Sequence, residues 1–230
     1  MKIKSHIPNA LTLFNLFSGV MGIIWVLEGH LLYGAYFVII AAAFDFLDGF
    51  VARLLKVQSE IGKELDSLAD VVSFGVLPGI ILFTMVRDQS ELPWLPYLTL
   101  IVPMLSAYRL AKFNLDTRQT DRFIGLPTPA NALFISALPH FALQVEILGN
   151  LLNSPWVIIG IAWIFAILLI SELPLIALKF KNFNLGDNKM RFALIGISLV
   201  CFAWMQLAGI PLLILAYIAL SIVEQAIGSE

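Results

Sequence analysis

The sequence is short of cysteine, of charge and of any strong charge imbalance. Its one cysteine is Cys201, so an intrachain disulfide and a Cys-x-x-Cys metal site are both excluded. Placed in an apolar run, Cys201 reads as a small buried hydrophobe. Lys, Arg, Asp and Glu together make up 13% of the 230 residues, against 60% hydrophobic residues and a mean hydropathy of +0.90. That is the composition of a membrane protein, in a length ordinarily sufficient for one domain. The formal net charge of −2 names no partner, and no nucleic acid is expected. Repeats and low-complexity segments are absent. Lys2 and Lys4 precede an apolar run, as in a signal peptide, but the run continues for about twenty residues without an Ala-x-Ala site, which reads as a retained first helix.

Apolar stretches long enough, or nearly so, to span a hydrocarbon core of about 30 Å fall at roughly 8–28, 31–54, 66–87, 95–115, 129–148, 155–178, 191–208 and 210–227. The expected fold is therefore an all-α integral membrane protein of about eight transmembrane helices. Only Ala208, Gly209 and Pro211 separate the last two, and a single kinked helix is the alternative. With the N-terminus cytoplasmic, thirteen of the fourteen cations fall inside: Lys2, Lys4, Arg53, Lys56, Lys63, Arg109, Lys112, Arg118, Arg122, Lys179, Lys181, Lys189 and Arg191. Only Arg87 falls outside. The positive-inside rule thus puts both termini on the cytoplasmic side of a cell (inner) membrane.

Against this apolar background stand four carboxylates, Asp45, Asp48, Asp66 and Asp70. Each would cost about 2.5 to 3.5 kcal/mol at the centre of a membrane helix. Asp45 and Asp48 are spaced i, i+3, and Asp66 and Asp70 i, i+4, so each pair shares one face of its own helix. The connection from Leu54 to Leu65 is short, polar and basic, which makes the second and third helices antiparallel neighbours. Two acidic faces so joined form a cage of hard oxygen ligands suited to one or two Mg2+ or Mn2+ ions rather than zinc. Gly49, Ala52 and Gly62 leave room for a ligand or a backbone to approach. Arg53 adds a planar cation of the kind an anionic diphosphate requires. Asp45 lies about 12 Å from Arg53 along the axis, which sets the cage just below the cytoplasmic interface. Metal ligands plus arginine read as a phosphoryl-transfer site.

The run D-x2-D-G-x2-A-R-x8-G-x3-D-x3-D, carried here by Asp45, Asp48, Gly49, Ala52, Arg53, Gly62, Asp66 and Asp70, resembles the signature of the CDP-alcohol phosphotransferases. The resemblance implies a six-helix family core, residues 1–180, with additional helices at 190–227, in one transmembrane catalytic domain. It also implies a homodimer, while the charge distribution above puts the carboxylate cluster, and with it the active site, toward the cytoplasm. Asn9, Thr12 and Asn15 are spaced by three along the first helix. By themselves they suit helix-to-helix hydrogen bonding, whereas the family pattern implies contact with the CDP moiety. Ser59 either caps the third helix or, as the family pattern favours, touches the nucleotide. Asp66 falls early in its helix, where the dipole also favours a carboxylate. Pro78 and Gly79 are expected to kink that helix.

Arg109 and Lys112 share a face at the end of the fourth helix and are candidates for an acceptor headgroup or for interface anchors. Glu172 and His140 lie in apolar surroundings without a motif, and both read as structural. Residues 179–191 form a basic surface facing anionic lipid. The stretches Tyr-Arg-Leu-Ala-Lys-Phe-Asn (108–114) and Gly-Leu-Pro-Thr-Pro-Ala-Asn (125–131) narrow the resemblance to the membrane-embedded phosphatidylserine synthases of bacteria and archaea. The implied reaction joins CDP-diacylglycerol to the hydroxyl of L-serine, with membrane lipids as partners and Asp70 as general base as well as metal ligand. A covalent phosphatidyl-aspartate is the mechanistic rival. Glycerol 3-phosphate and inositol phosphate are rival acceptors, and a divalent-cation transporter is the rival of another class.

Overall fold

The structure is a computed structural model that describes residues 6–57, 59–116, 123–176 and 188–227. Lys2, Lys4, Arg118, Arg122, Lys179 and Lys181, six of the cations behind the expected orientation, lie outside these residues. Among the described residues ten α-helices run in order: α1 (His6–Leu27), α2 (Tyr33–Leu55), α3 (Glu60–Asp70), α4 (Leu77–Arg87), α5 (Ile101–Leu115), α6 (Thr128–Gln144), α7 (Glu146–Leu152), α8 (Pro155–Ile170), α9 (Lys189–Met205) and α10 (Ile210–Ile227). A π-helical turn, Val71–Val76, joins α3 to α4, and a 3-10 turn, Leu95–Leu100, leads into α5. The architecture of the described residues is all-α apart from one two-residue antiparallel pairing of β1 (Phe123–Ile124) with β2 (Pro174–Leu175).

Among the described residues four helical stretches are long and apolar enough to cross a membrane: His6–Leu27, Tyr33–Leu55, Glu60–Arg87 and Lys189–Ala226. The apolar α8 is shorter. Phe17, Phe46, Ile164, Leu199, Phe202 and Trp204 point outward and are exposed, a surface matched to lipid rather than to water. The chain is a multi-pass membrane protein. The α3–α4 stretch occupies the centre, where Phe74, Leu77, Ile81 and Leu82 are fully buried. α1 packs along α2 and also against α3, the π turn and α4. Glycines allow the approach: a Cβ on Gly22 would come within 2.8 Å of Phe37 Cβ, closer than real carbon contacts.

Several boundaries differ from those read in the sequence. The third helix begins at Glu60, not 66, because Ser59 adopts an extended conformation and its side chain accepts from Gly62 N–H at 3.0 Å, capping the first turn. Asp66 is thus well past the first turn, beyond the reach of the dipole, and Glu60 takes that position. The irregularity expected at Pro78–Gly79 falls one turn earlier. Pro78 has no N–H and its ring would crowd the Phe74 carbonyl in a regular helix. The backbone widens instead, with Leu77 N–H bonding to Val72 O.

The fifth expected helix divides at Val145, which is extended, into α6 and α7. The sixth stops at Ile170 rather than 178, since Ser171 is extended and Pro174 disfavours a helical residue before it. Glu172 therefore follows a helix rather than sitting in one. α9 and α10 are separate helices packed on each other, divided at Gln206 (φ 50°). His140 Nε2 lies 3.0 Å from Leu32 O and its ring meets Tyr36 edge-on, a packing role.

Candidate active site

The site begins at the reversal between α2 and α3. Lys56, in the left-handed region at φ 54°, ends α2, and Val57 N–H bonds to Ala52 O at 3.0 Å. The chain then turns back into α3 through the Ser59 cap. The backbones of α2 and α3 stay apart over most of their length, while α1 packs against both. What faces across the gap is side chain. One carboxylate oxygen from each of Asp45, Asp48 and Asp66 lies within 4.8 Å of the others, and Asp45 and Asp66 come within hydrogen-bonding range.

Helix α1 supplies the supports. Thr12 Oγ1 lies 2.5 Å from Asp48 Oδ2 and 3.1 Å from Pro8 O. Its single proton serves the charged acceptor. One turn on, Asn15 Nδ2 donates to Asp70 Oδ1 at 3.1 Å. Asn15 is itself fixed from the π turn, where Ser73 Oγ donates to Asn15 O at 3.0 Å. Thr12 and Asn15 therefore do the helix-joining work that their spacing allowed. Asn15, fully buried, is directed at Asp70. Asp70 lies outside the group of three acids and one turn deeper, yet within electrostatic reach of Asp45 and Asp66.

Beside the three acids opens a cavity of about 540 Å³ lined by Asn9, Thr12, Asp48, Gly49, Ala52, Arg53, Ser59, Gly62 and Asp66 among others. That is within the usual size of a small-molecule site. A Cβ on Gly49 would lie 3.4 Å from Arg53 Nη1, so the guanidinium folds back over Gly49. A Cβ on Gly62 would lie 3.2 Å from Asn9 Oδ1, which brings α1 over the start of α3. Asn15 is not part of the lining. Lys63 and Glu60 are; neither belongs to a motif, and the one signal for them is their place in the short polar connection between the second and third helices.

The donor set fits a hard divalent cation. Asp66 Oδ1 is buried without a hydrogen-bond partner among the described residues. Oxygens across an octahedral ion with bonds of about 2.0–2.1 Å are about 4.2 Å apart, comparable with the 4.8 Å limit on the three carboxylates. Among the described residues no histidine or cysteine joins this group, which disfavours zinc.

The two acceptor candidates diverge. Arg109 is 7% exposed, its Nε lacks a partner among the described residues, and its guanidinium lies 5.6 Å from the centre of the Phe113 ring. It stands within electrostatic reach of Asp70. Lys112 is half-exposed and pairs with Glu172 at 3.8 Å, an interaction worth little at a surface.

Residues 5–169 match the family model described as CDP-alcohol phosphatidyltransferase. The chain belongs to this family. As a CDP-alcohol phosphatidyltransferase-family member it is a membrane transferase of phospholipid synthesis. It is 33% identical over 178 residues to a Mycobacterium leprae protein named CDP-diacylglycerol–serine O-phosphatidyltransferase, covering 74% of this chain and 57% of that one. A Mycobacterium tuberculosis H37Rv protein of the same name is 31% identical over 221 residues, 92% of this chain and 75% of its own length. A Methanothermobacter thermautotrophicus protein named archaetidylserine synthase is 35% identical over 145 residues, 59% of each chain.

Proposed function

We propose that this chain transfers the phosphatidyl group of CDP-diacylglycerol to the hydroxyl of L-serine, giving phosphatidylserine and CMP. The observation that carries this reading is the convergence of Asp45, Asp48 and Asp66 within 4.8 Å, two of them, Asp48 and Asp66, on the wall of a cavity that also holds Arg53. The names of the relatives support serine as the acceptor.

Asp45, Asp48 and Asp66 would hold Mg2+ or Mn2+, which when bound supplies positive charge to the diphosphate oxygens as CMP departs. Arg53, folded over Gly49 at the cavity wall, takes a share of the same charge through its N–H fork. Asn9, Gly49, Ala52, Ser59 and Gly62 line the space for the CDP moiety, the small residues letting it lie against backbone. Thr12 holds Asp48 in place through its hydroxyl. In the transfer, the serine oxygen bonds to the phosphorus that carries diacylglycerol, and the bond from that phosphorus to the CMP oxygen breaks. The serine hydroxyl proton passes to Asp70. An acid set apart from the group of three can accept that proton, and Asn15 fixes its Oδ1 so that Oδ2 is left for the serine hydroxyl.

The acidic end of α2 and α3 is placed at the cytoplasmic boundary of the cell (inner) membrane, with both termini on that side. The sequence distribution of Lys and Arg supports this orientation. We further infer one catalytic domain, with α9 and α10 added to a six-helix core, acting as a homodimer.

The test is CMP release by purified protein with CDP-diacylglycerol and a panel of L-serine, glycerol 3-phosphate, inositol phosphate and glycerol, with Mg2+, Mn2+ or chelator. Release with serine alone, and only with a divalent cation, is expected. Release with a phosphorylated acceptor instead would overturn the serine assignment, and cation flux in proteoliposomes lacking CDP-diacylglycerol would overturn the enzymatic one.

A further inference from the structure

The end of the molecule opposite the three acids holds a second cavity, of about 610 Å³. Leu32, on its wall, immediately precedes α2 and lies about 20 Å along the axis from Asp45. The floor is apolar, with Met85 of α4 and Pro139 of α6 buried. The rim is polar: Asp88 and Gln89 follow α4, Gln144 ends α6, and Glu146, Asn150 and Asn153 come from α7 and its C-cap. α7 forms this wall because Val145 is extended and breaks the helical run. Gly149 lets it fold closely on α6, since a Cβ there would come 2.5 Å from Ala142 O. The bend is held by Val145 N–H bonding to Phe141 O at 3.0 Å and Gly149 N–H to Val145 O at 2.8 Å.

Aromatic side chains mark the depth of this cavity in the membrane. Tyr33 and Tyr36 at the start of α2, Trp94 and Tyr97 ahead of α5, and Trp156 at the start of α8 are all exposed. That is the arrangement of an aromatic belt at a membrane–water interface, so the cavity opens at headgroup level. Ile147 and Leu151, one turn apart on α7, are exposed beside it. Glu146 and Asn150, also one turn apart, line the cavity. α7 thus offers an apolar face to lipid tails and a polar one to whatever fills the cavity. The charge at this end has one sign: among the described residues Glu28, Asp88, Glu91 and Glu146 stand against Arg87 alone. Arg87 turns to Asp88 at 3.0 Å, and no described cation lines the cavity.

We propose that this cavity binds the headgroup of a phospholipid that carries a primary ammonium group. The ammonium donates to the Glu146 carboxylate and the Asn150 amide oxygen, and the phosphate accepts from the amide N–H groups of Gln89 and Gln144. The acyl chains continue along Ile147 and Leu151. A quaternary ammonium has no N–H to donate, and no aromatic ring among the described residues lines the cavity to hold its charge. A headgroup of net negative charge meets Asp88 and Glu146 with no free cation to offset them. The site therefore discriminates among lipids by the chemistry of the head. The inference stands apart from the transferase reading, because this cavity lies at the other end of the helices from the acids.

The experiment is native mass spectrometry of the full chain from micelles holding equimolar phosphatidylethanolamine, phosphatidylcholine and phosphatidylglycerol, with the melting temperature read in each lipid alone. One phosphatidylethanolamine per chain is expected to be retained about tenfold over either other lipid, and to raise the melting temperature most. Glu146→Gln keeps the shape of the side chain and removes its charge, which is expected to abolish the preference. Asn150→Ala is expected to act in the same direction and, at an exposed position, carries the test should Glu146→Gln fail to fold. Equal retention of the three lipids, or a wild-type preference in both variants, overturns the site. An equal thermal rise with soluble glycerophosphoethanolamine at matched concentration overturns the assignment to a lipid.

Discussion

Asn15 on α1 donates from Nδ2 to Oδ1 of Asp70 at 3.1 Å, across a sequence separation of 55 residues. That bond ties the first helix to the acid that stands apart from the group of three. Removing it leaves Asp70 in place but free to rotate about its side-chain bonds. Asn15→Ala is expected to lower kcat by about 10- to 100-fold and to leave KM for CDP-diacylglycerol nearly unchanged, since Asn15 does not line the nucleotide cavity. A rise in that KM with kcat retained would instead make Asn15 a nucleotide contact.

Asp70→Asn keeps the size of the side chain and its ability to accept from Asn15 while removing the proton acceptor. Turnover is expected to vanish with CDP-diacylglycerol binding retained, measured by CMP release and by equilibrium binding of the nucleotide lipid. Wild-type rates in this variant would remove Asp70 from the reaction. Labelled lipid that stays bonded to wild-type protein after incubation with CDP-diacylglycerol alone would favour a covalent phosphatidyl-aspartate over direct transfer.

Much of this arrangement was legible because helical spacing survives folding. The i, i+3 and i, i+4 intervals put Asp45, Asp48 and Asp66 on facing stripes, and Gly49, Ala52, Arg53 and Gly62 join Asp48 and Asp66 on the cavity wall. What spacing cannot show is which partner a polar side chain finds across helices. Thr12 and Asn15 look alike on the α1 stripe, yet one reaches Asp48 on α2 and the other Asp70 at the end of α3. Helix ends were legible only in part, because Ser59 caps and Ser171 extends through local backbone choices that an apolar window averages away. The π turn arises from a conflict between Pro78 and the Phe74 carbonyl, and a sequence window locates the proline but not where the strain is relieved.

Thr12 supports Asp48 as a positioning residue rather than a ligand. Thr12→Val removes the hydroxyl at nearly constant volume, leaving Asp48 Oδ2 without its partner. Loss of such an orienting hydrogen bond is expected to weaken divalent-cation affinity about 10- to 100-fold, measured by Mn2+ titration of the purified protein, with melting temperature in excess Mg2+ little altered. Equal Mn2+ affinity in wild type and variant would show that Asp48 needs no support from α1.

Three carboxylates held within 4.8 Å repel one another unless a cation lies among them. Mg2+ at a hundredfold excess over its Kd is expected to stabilise the fold by about 2.7 kcal/mol, read as a rise in melting temperature that chelator reverses. Asp66→Asn removes one charge and one ligand together, so it should raise the melting temperature of the metal-free protein while shrinking the Mg2+ response. A Mg2+ response of wild-type size in Asp66→Asn would take Asp66 out of the ligand set.

Gly19 couples packing to chemistry. A Cβ at this position would press on Ser73, including Ser73 Cα at 2.8 Å, and backbone cannot swing aside as a side-chain tip can. Gly19→Ala must therefore push α1 away from the π turn, at a cost of about 1–3 kcal/mol in stability. Because Ser73 Oγ also bonds to Asn15 O, the same displacement pulls Asn15 from Asp70. The expected result is a lower melting temperature together with a fall in kcat like that of Asn15→Ala. Gly22→Ala serves as the control, since it meets Leu77 and Phe37 and not Ser73, and should destabilise with a smaller effect on kcat. If both variants lose kcat in proportion to stability alone, the link from α1 packing through Ser73 and Asn15 to Asp70 does not operate.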